Sequence, residues 1–237
     1  MKNDTLLAWL VAAASLCFAV VPFFTSFNGY GPDAFPIPQV DPPAQPAGYA
    51  FSIWGVIYLW LIVSSGIGIV RAPSDSRWRP ARVPLILSLI VGAVWLPVAE
   101  ANPIAATVLI WIMLITALVA LARTPLESRW SFRAPVALYA GWLAAASWVS
   151  IALVGAGFGL FFDATTWAII ILLAATILST GVLLRLPAIP EFGVAVVWAL
   201  VAVLVKQGFT TAPGWLAMAC AAWVGGLTLR QIVTLAR

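Results

Sequence analysis

Long apolar runs separated by short polar segments dominate the chain. Eight such runs are long enough for a membrane helix, at 6–27, 49–70, 83–100, 103–122, 134–155, 165–185, 191–206 and 214–230. A helix that crosses the hydrocarbon needs about 20 predominantly apolar residues. The runs lack the alternation of barrel strands, and backbone polar groups in lipid have to be hydrogen-bonded within the protein. The pattern therefore predicts an all-α, polytopic bundle of eight transmembrane helices.

Two of the runs need separate comment. The seventh is short because Glu191 and Lys206 bound its charge-free stretch, and their side chains would have to reach toward the head groups for residues 191–206 to cross fully. Whether this run spans the bilayer is therefore open from the sequence. The first run lacks a clean small-residue cleavage site, so we expect it to be retained as a helix rather than removed as a signal peptide.

Composition narrows the class of protein. Of 237 residues, 63% are hydrophobic and 8% are charged, whereas soluble domains carry about 25% charged residues. A soluble enzyme, a nucleic-acid-binding protein and a disordered scaffold are excluded on this ground. The chain has no histidine, and Cys17 and Cys220 both lie inside apolar runs. We therefore expect no metal site and no catalytic residues.

The charged residues between the runs predict the orientation. If Lys2 is cytoplasmic, the arginines of segments 71–82 and 123–133, Arg185 and the arginines after the last run all face the cytoplasm. Cytoplasmic loops are enriched in Lys and Arg, so this arrangement is the favoured one. Lys206 falls on the opposite side. We predict both termini in the cytoplasm, with a bacterial inner membrane as the location.

Two of the predicted cytoplasmic loops carry the tripeptide Ser-Arg-Trp, at 76–78 and 128–130. Indole and guanidinium groups favour the level of the lipid head groups. We interpret Trp78 and Trp130 as interfacial anchors, with a docking patch for a cytoplasmic partner as the alternative. Trp9, Trp167 and Trp215 are assigned to the interfaces in the same way.

The loop at 22–48 is long, almost uncharged and rich in Pro, Gly and aromatic residues. Its aromatic residues are Phe23, Phe24, Phe27, Tyr30 and Phe35. Loops of this length in compact domains are usually functional. We expect it to fold back as a lid, with simple packing over helix ends as the alternative.

Other aromatic residues fall inside the apolar runs and share helix faces. Trp54 and Tyr58 are four residues apart, Tyr139 and Trp142 are three apart, and Trp95 lies toward the predicted lid end of its run. Aromatic rings offer flat ligands a large rigid face and one polar tip. We therefore predict that these five residues bind a ligand, with packing between helices as the alternative.

Three segments also carry a family resemblance. They are FSIWGVIYL at 51–59, Trp95 followed by Pro103, and YAGW at 139–142. In order and spacing they resemble the second-, third- and fifth-helix motifs of the TspO/translocator proteins, also called tryptophan-rich sensory proteins. The resemblance covers roughly residues 1–155. Gly92 and Ser150 depart from it, because they stand where the family usually has asparagine.

The resemblance implies a five-helix core at 1–155, which residues 156–237 would extend by three helices. It further implies a cavity beneath the 22–48 loop that binds a tetrapyrrole such as protoporphyrin or a sterol-like lipid, for sensing, regulation or transport. Membrane dimers are implied as well. No cofactor is required beyond such a bound tetrapyrrole or lipid, and the expected partners are a hydrophobic small molecule and membrane lipid, with no nucleic acid.

Alternatives from other functional classes remain. A non-catalytic accessory subunit of a larger membrane complex fits small-residue faces such as Ser64/Gly68 and Gly155/Gly159, which suit helix packing. A retinal-type receptor would use Lys206 as its Schiff base, but this lysine lies near a helix end and the third run has no buried carboxylate. A secondary transporter would have internal repeats and broken helices, which the sequence does not indicate.

Overall fold

The computed structural model describes residues 2–25 and 30–237, and this part of the chain contains helices and connecting turns without strands. Its eight long helices are α1 Lys2–Val20, α2 Ile53–Arg71, α3 Arg79–Ala101, α4 Pro103–Ala122, α5 Ala134–Gly157, α6 Ala164–Arg185, α7 Pro190–Gln207 and α8 Ala212–Leu235. All eight are long and apolar enough to cross a membrane. The predicted all-α bundle with eight spans is confirmed, and the chain is an integral membrane protein.

Several helix ends differ from the predicted ones. Helix α1 ends at Val20 and passes into a short 3-10 helix at Val21–Phe23, because Pro22 has no backbone N–H to continue the α-helical pattern. Phe27 lies outside the described residues. Helix α3 begins four residues earlier than predicted, with a proline in its first turn, where no amide donor is needed. Helix α8 continues to Leu235, beyond the predicted end at Arg230.

Three helices begin at a side chain that accepts hydrogen bonds from the first turn. The Asn102 amide oxygen accepts from the backbone N–H groups of Ile104 and Ala105 at 3.0 Å. The Asp163 carboxylate accepts from Thr166 at 2.7 Å, and the Thr211 hydroxyl from Gly214 at 3.2 Å. These N-caps satisfy donors that a helix start leaves unpaired, and they explain where α4, α6 and α8 begin.

The chain forms two compact units. Unit 1 comprises Met1–Phe27 and Ile53–Ala140, and unit 2 comprises Asn28–Ser52 and Gly141–Arg237, so the boundary falls inside α5. In unit 1, α3 packs on α1 and α4, and α1 packs on α2. In unit 2, α8 packs on α6 and α7. The division into a core at 1–155 and an extension at 156–237 stays a prediction.

A buried arginine joins three helix ends of unit 1. The Arg82 side chain, whose residue is 1% exposed, donates to the carbonyl of Asp4 at 3.0 Å and to that of Pro73 at 3.2 Å. It also donates to the carbonyls of Gly68 and Ala72, at 3.5 and 2.5 Å. The start of α1, the end of α2 and the start of α3 therefore lie together, as alternating membrane crossings require.

Candidate functional site

Three of the five predicted ligand-binding rings meet in unit 1 around Phe18 of α1. The ring centroid of Phe18 lies 5.6 Å from Trp54, 5.1 Å from Tyr58 and 5.7 Å from Tyr139. Trp54 and Tyr58 stack on each other at 5.3 Å with 15° between their planes, and Phe18 stands at 85° to both. We call these four residues the Phe18 cluster.

One side of the Phe18 cluster is polar. The Tyr139 hydroxyl lies 2.9 Å from Ser88 Oγ, and Ser88 Oγ donates to the carbonyl of Met113 at 2.8 Å. A serine hydroxyl has one proton. Because that proton is directed to Met113, Tyr139 is the donor to Ser88. The cluster therefore combines flat apolar faces with one hydrogen-bonded phenol that is 0% exposed.

Gly92 accounts for the position of Phe18. A Cβ added at Gly92 would stand 2.5 Å from Cε2 of the Phe18 ring and 2.9 Å from Cε of Met113. Only a residue without a side chain leaves room for the ring at this distance. Gly92, where the chain departs from the resemblance described above, thus leaves space that Phe18 fills. Ser150, at the second departure, donates to the carbonyl of Ser147 on its own helix at 2.8 Å.

The two remaining predicted residues have different surroundings. The Trp95 indole N–H donates to the carbonyl of Ala106 on α4 at 2.9 Å. Trp142 belongs to unit 2, is nearly fully buried, and meets the Phe51 ring edge-on at 5.9 Å. The assignment of all five residues to one ligand site stays a prediction. The sequence analysis missed Phe18 because it is one of many apolar residues in the first run, and no local pattern distinguishes it.

The two Ser-Arg-Trp loops differ in structure although they share a sequence. Trp78 is 4% exposed, and its ring stacks on Phe132 with 4.2 Å between centroids. Its indole N–H donates to Ser128 Oγ at 3.0 Å. Trp130 is 66% exposed and lies under the Arg129 guanidinium, 4.1 Å from the ring centroid. The anchor interpretation is therefore wrong for Trp78, which is a core residue, while Trp130 has the exposure that an anchor requires.

In unit 2, a stripe of α7 holds part of the 22–48 loop and the residues that follow it. Trp198, Ala202 and Lys206 are spaced four residues apart and so share one helix face. The Trp198 indole N–H donates to the carbonyl of Ala50 at 2.9 Å, and the Ala47 N–H donates to the carbonyl of Ala202 at 3.1 Å. The end of the loop is thus held by α7, whereas the role of the 22–48 loop as a lid over a ligand stays a prediction.

Lys206 completes this attachment with an ion pair. Its Nζ lies 2.8 Å from Asp41 Oδ1 and 3.4 Å from the Pro42 carbonyl oxygen. The sequence had placed Lys206 alone among the basic residues on the side opposite to the others. In the structure the carboxylate of Asp41 compensates the charge of Lys206. Helix α7 has 18 residues and is therefore about 27 Å long, at a rise of 1.5 Å per residue.

A polar cleft opens beside this ion pair. It has a volume of about 450 Å³, and its lining includes Tyr30, Gln39, Asp41, Pro42, Gln45 and Lys206. We call it the loop cleft. Burial raises the pKa of Tyr30 to about 12, so its phenol stays protonated at neutral pH. The cleft therefore presents the Lys206 ammonium with its Asp41 carboxylate partner, two amides, and apolar proline and valine surfaces.

The small-residue faces that suggested a partner helix are covered within the units. A Cβ at Gly68 would lie 3.1 Å from the Trp78 ring, and Ser64 on the same face is buried. The Trp167 indole occupies the space beside Gly155, and Ile37 Cδ1 would lie 2.9 Å from a Cβ at Gly159. These residues make intramolecular contacts, so they no longer indicate a larger complex.

Comparison with known proteins gives one match. A family model described as TSPO-like protein matches residues 7–233, which include most of α1 and α8 and everything between them. No curated protein and no solved structure matches the chain. Within residues 2–25 and 30–237, no three Cys, Asp or Glu side chains are grouped so as to hold a metal ion.

Proposed function

This chain belongs to the TSPO-like protein family, and we propose that it binds a planar hydrophobic ligand, a tetrapyrrole or a sterol-like lipid, at the Phe18 cluster. The proposed role is non-catalytic and serves sensing, regulation or transport. The observation that carries the proposal is the Trp54–Tyr58 stack, two parallel rings next to a phenol that is held by Ser88. Parallel rings with one polar group nearby suit a flat ligand that has an apolar face.

Phe18 has a specific part in this proposal. It stands perpendicular to the stacked rings of Trp54 and Tyr58 and takes the room that Gly92 leaves. A planar ligand that lay parallel to the stack on this side would have to displace the Phe18 ring. This displacement begins with a change of the Phe18 side-chain rotamer. Phe18 then acts as a closing residue for the unliganded protein.

The experiment measures protoporphyrin binding through the shift of its Soret band, with the full chain in neutral detergent. Trp54→Leu removes one ring of the stack and should raise the Kd about 5- to 150-fold, which is the range for about 1–3 kcal/mol per stacked aromatic. Trp130→Leu is the matched control, because it removes an indole that is exposed in unit 1. Its Kd should equal that of the wild type.

The results separate ligand binding from the competing accessory-subunit role. A weaker Kd in Trp54→Leu alone supports the ligand site. Equal Kd values in the wild type and both variants would mean that the Phe18 cluster is a packing element. In that case an accessory role becomes the better account, and migration of the protein with a large complex in mild detergent would be its signature.

A further inference from the structure

The loop cleft holds a cation whose donors are only partly used. The Lys206 side chain is 14% exposed, so most of its surface is covered by neighbouring residues. An ammonium has three N–H donors, and the described residues engage it through two acceptors, Asp41 Oδ1 and the Pro42 carbonyl oxygen. One N–H donor of the Lys206 ammonium can therefore bind a further oxygen atom in the cleft.

Asp41 is a replaceable partner. Its side chain is 76% exposed, so the carboxylate keeps most of its hydration and loses little when it leaves Lys206. Its φ is +51°, a left-handed conformation that costs energy for residues other than glycine and is best tolerated by Asn and Asp. An exposed carboxylate on a strained residue is thus the weak half of this ion pair.

The other residues that line the cleft indicate which kind of anion it can bind. Gln39 and Gln45 offer amide groups, while Val40, Pro42 and Pro46 offer apolar surface. The volume of about 450 Å³ lies in the range of small-molecule sites. We propose that the loop cleft binds the anionic head group of an amphiphile, with a carboxylate or phosphate oxygen taking the place of Asp41 on Lys206. This site lies in unit 2 and does not depend on the Phe18 cluster.

The test reads the reactivity of Lys206 directly. Lys2 and Lys206 are the lysines of the sequence, so an amine-acetylating reagent followed by peptide mass spectrometry reports Lys206 separately, with Lys2 as the internal reference. The full chain in neutral detergent is titrated with oleate, with phosphatidylglycerol and with inorganic phosphate. We expect oleate or phosphatidylglycerol to protect Lys206 from acetylation, and the more effective of the two identifies the carboxylate or the phosphate as the natural head group.

Two carboxylate variants make the test specific. Asp41→Asn keeps the left-handed backbone but removes the competing charge, so half-protection should occur at an amphiphile concentration up to about fivefold lower. Asp33→Asn is the matched control, because it neutralises an exposed carboxylate of the same loop, and it should leave the titration unchanged. Lys206→Met should lower the retention, in native mass spectrometry, of the amphiphile that protects Lys206 more effectively by roughly tenfold or more.

Three results would overturn the proposal. The first is Lys206 reactivity that no amphiphile changes, in the wild type or in Asp41→Asn. The second is protection by inorganic phosphate at the same concentration as the amphiphiles. That result would mean that the apolar surface of the cleft does not contribute to binding. The third is that Lys206→Met retains, at the wild-type level, the amphiphile that protected Lys206 more effectively.

Discussion

In unit 1, the rings of the Phe18 cluster pack closely against one another, and the Phe18 ring occupies the space that Gly92 leaves. In unit 2, the loop cleft is closed by one ion pair and a few hydrogen bonds between a loop and α7. Ring packing depends on shape and is indifferent to salt, whereas an exposed ion pair is screened and exchangeable. For the ligands proposed above, the Phe18 cluster has to open by movement of a side chain. The loop cleft has to open by exchange of the Asp41 carboxylate for a competing anion.

Arg82, which is buried, and Lys206, which is partly buried, show the same contrast. Arg82 binds four backbone carbonyls, which are fixed by the helices and turns around it. Lys206 binds one carbonyl and an exposed carboxylate, which is on a loop. Fixed carbonyls cannot leave the cation, so Arg82 is a structural residue. The partner of Lys206 can leave, and this is why we place a ligand at Lys206 and none at Arg82.

The largest expected effect comes from emptying the Phe18 cluster. Phe18→Ala should lower the free energy of unfolding by about 3 kcal/mol, the lower end for loss of a buried phenylalanine, because the unfolded reference in a bilayer is also apolar. Unfolding in mixed detergent micelles measures it. If packing closes the cluster, Lys206→Met in the other region should cost far less. Equal losses in the two variants would break the comparison.

A smaller effect should come from filling the space that Gly92 leaves. Gly92→Ala should destabilise the protein by about 1–3 kcal/mol through overpacking against the Phe18 ring. In a Phe18→Leu background the added methyl has more room, so the same substitution should cost less than in the wild type. A double-mutant cycle measures this coupling. Strictly additive losses would mean that Phe18 does not press on Gly92.

The ion pair of the loop cleft should respond to salt. Lys206→Met should reduce the free energy of unfolding by less than about 1 kcal/mol, because its partner is mostly exposed. The difference between wild type and variant should shrink further at about 1 M salt, where the screening length is about 3 Å. The thermal unfolding temperature of both proteins at low and high salt provides the measurement. A difference that grows with salt would contradict an exchangeable ion pair.

The smallest expected effect on stability is at Asp163. Its carboxylate is held by backbone donors rather than by a lysine. The hydrogen bond from the Thr166 N–H lowers the pKa of Asp163. A lowered pKa in the folded state means that this stabilisation is present above the ordinary carboxyl pKa and is lost as the pH falls through the lowered one. Asp163→Ala should therefore lower the unfolding temperature at pH 7, and its deficit should close on acidification.

Asp163→Asn provides the control for this experiment. Asparagine is also a good N-cap, but it has no charge to titrate. It should keep most of the stability at pH 7 and lose the wild type's pH dependence. If Asp163→Ala were as stable as the wild type at pH 7, the cap would not contribute to the start of α6.

The sequence predicted the eight spans because length and apolar content decide that property residue by residue. It predicted one site for five residues, Trp54, Tyr58, Trp95, Tyr139 and Trp142, from helical spacing and the family motifs. The structure brings Trp54, Tyr58 and Tyr139 together around Phe18, and the single site of five residues stays a prediction. The sequence did not predict Phe18, because contacts between α1 and α3 join residues far apart in the chain. The prediction of Trp78 as an interfacial anchor was wrong for the same reason, since Phe132 covers it and no local pattern distinguishes it from Trp130.

The most direct test of the central claim is an experimental structure of the full chain in a lipid nanodisc with protoporphyrin added. We expect density for a flat molecule parallel to the Trp54 and Tyr58 rings, with the Phe18 ring rotated away from Gly92. It also predicts that Trp78 and Arg82 keep their positions, because they belong to the fixed end of unit 1. Porphyrin density elsewhere, with Phe18 still packed on Gly92, would contradict the claim that this cluster is the ligand site.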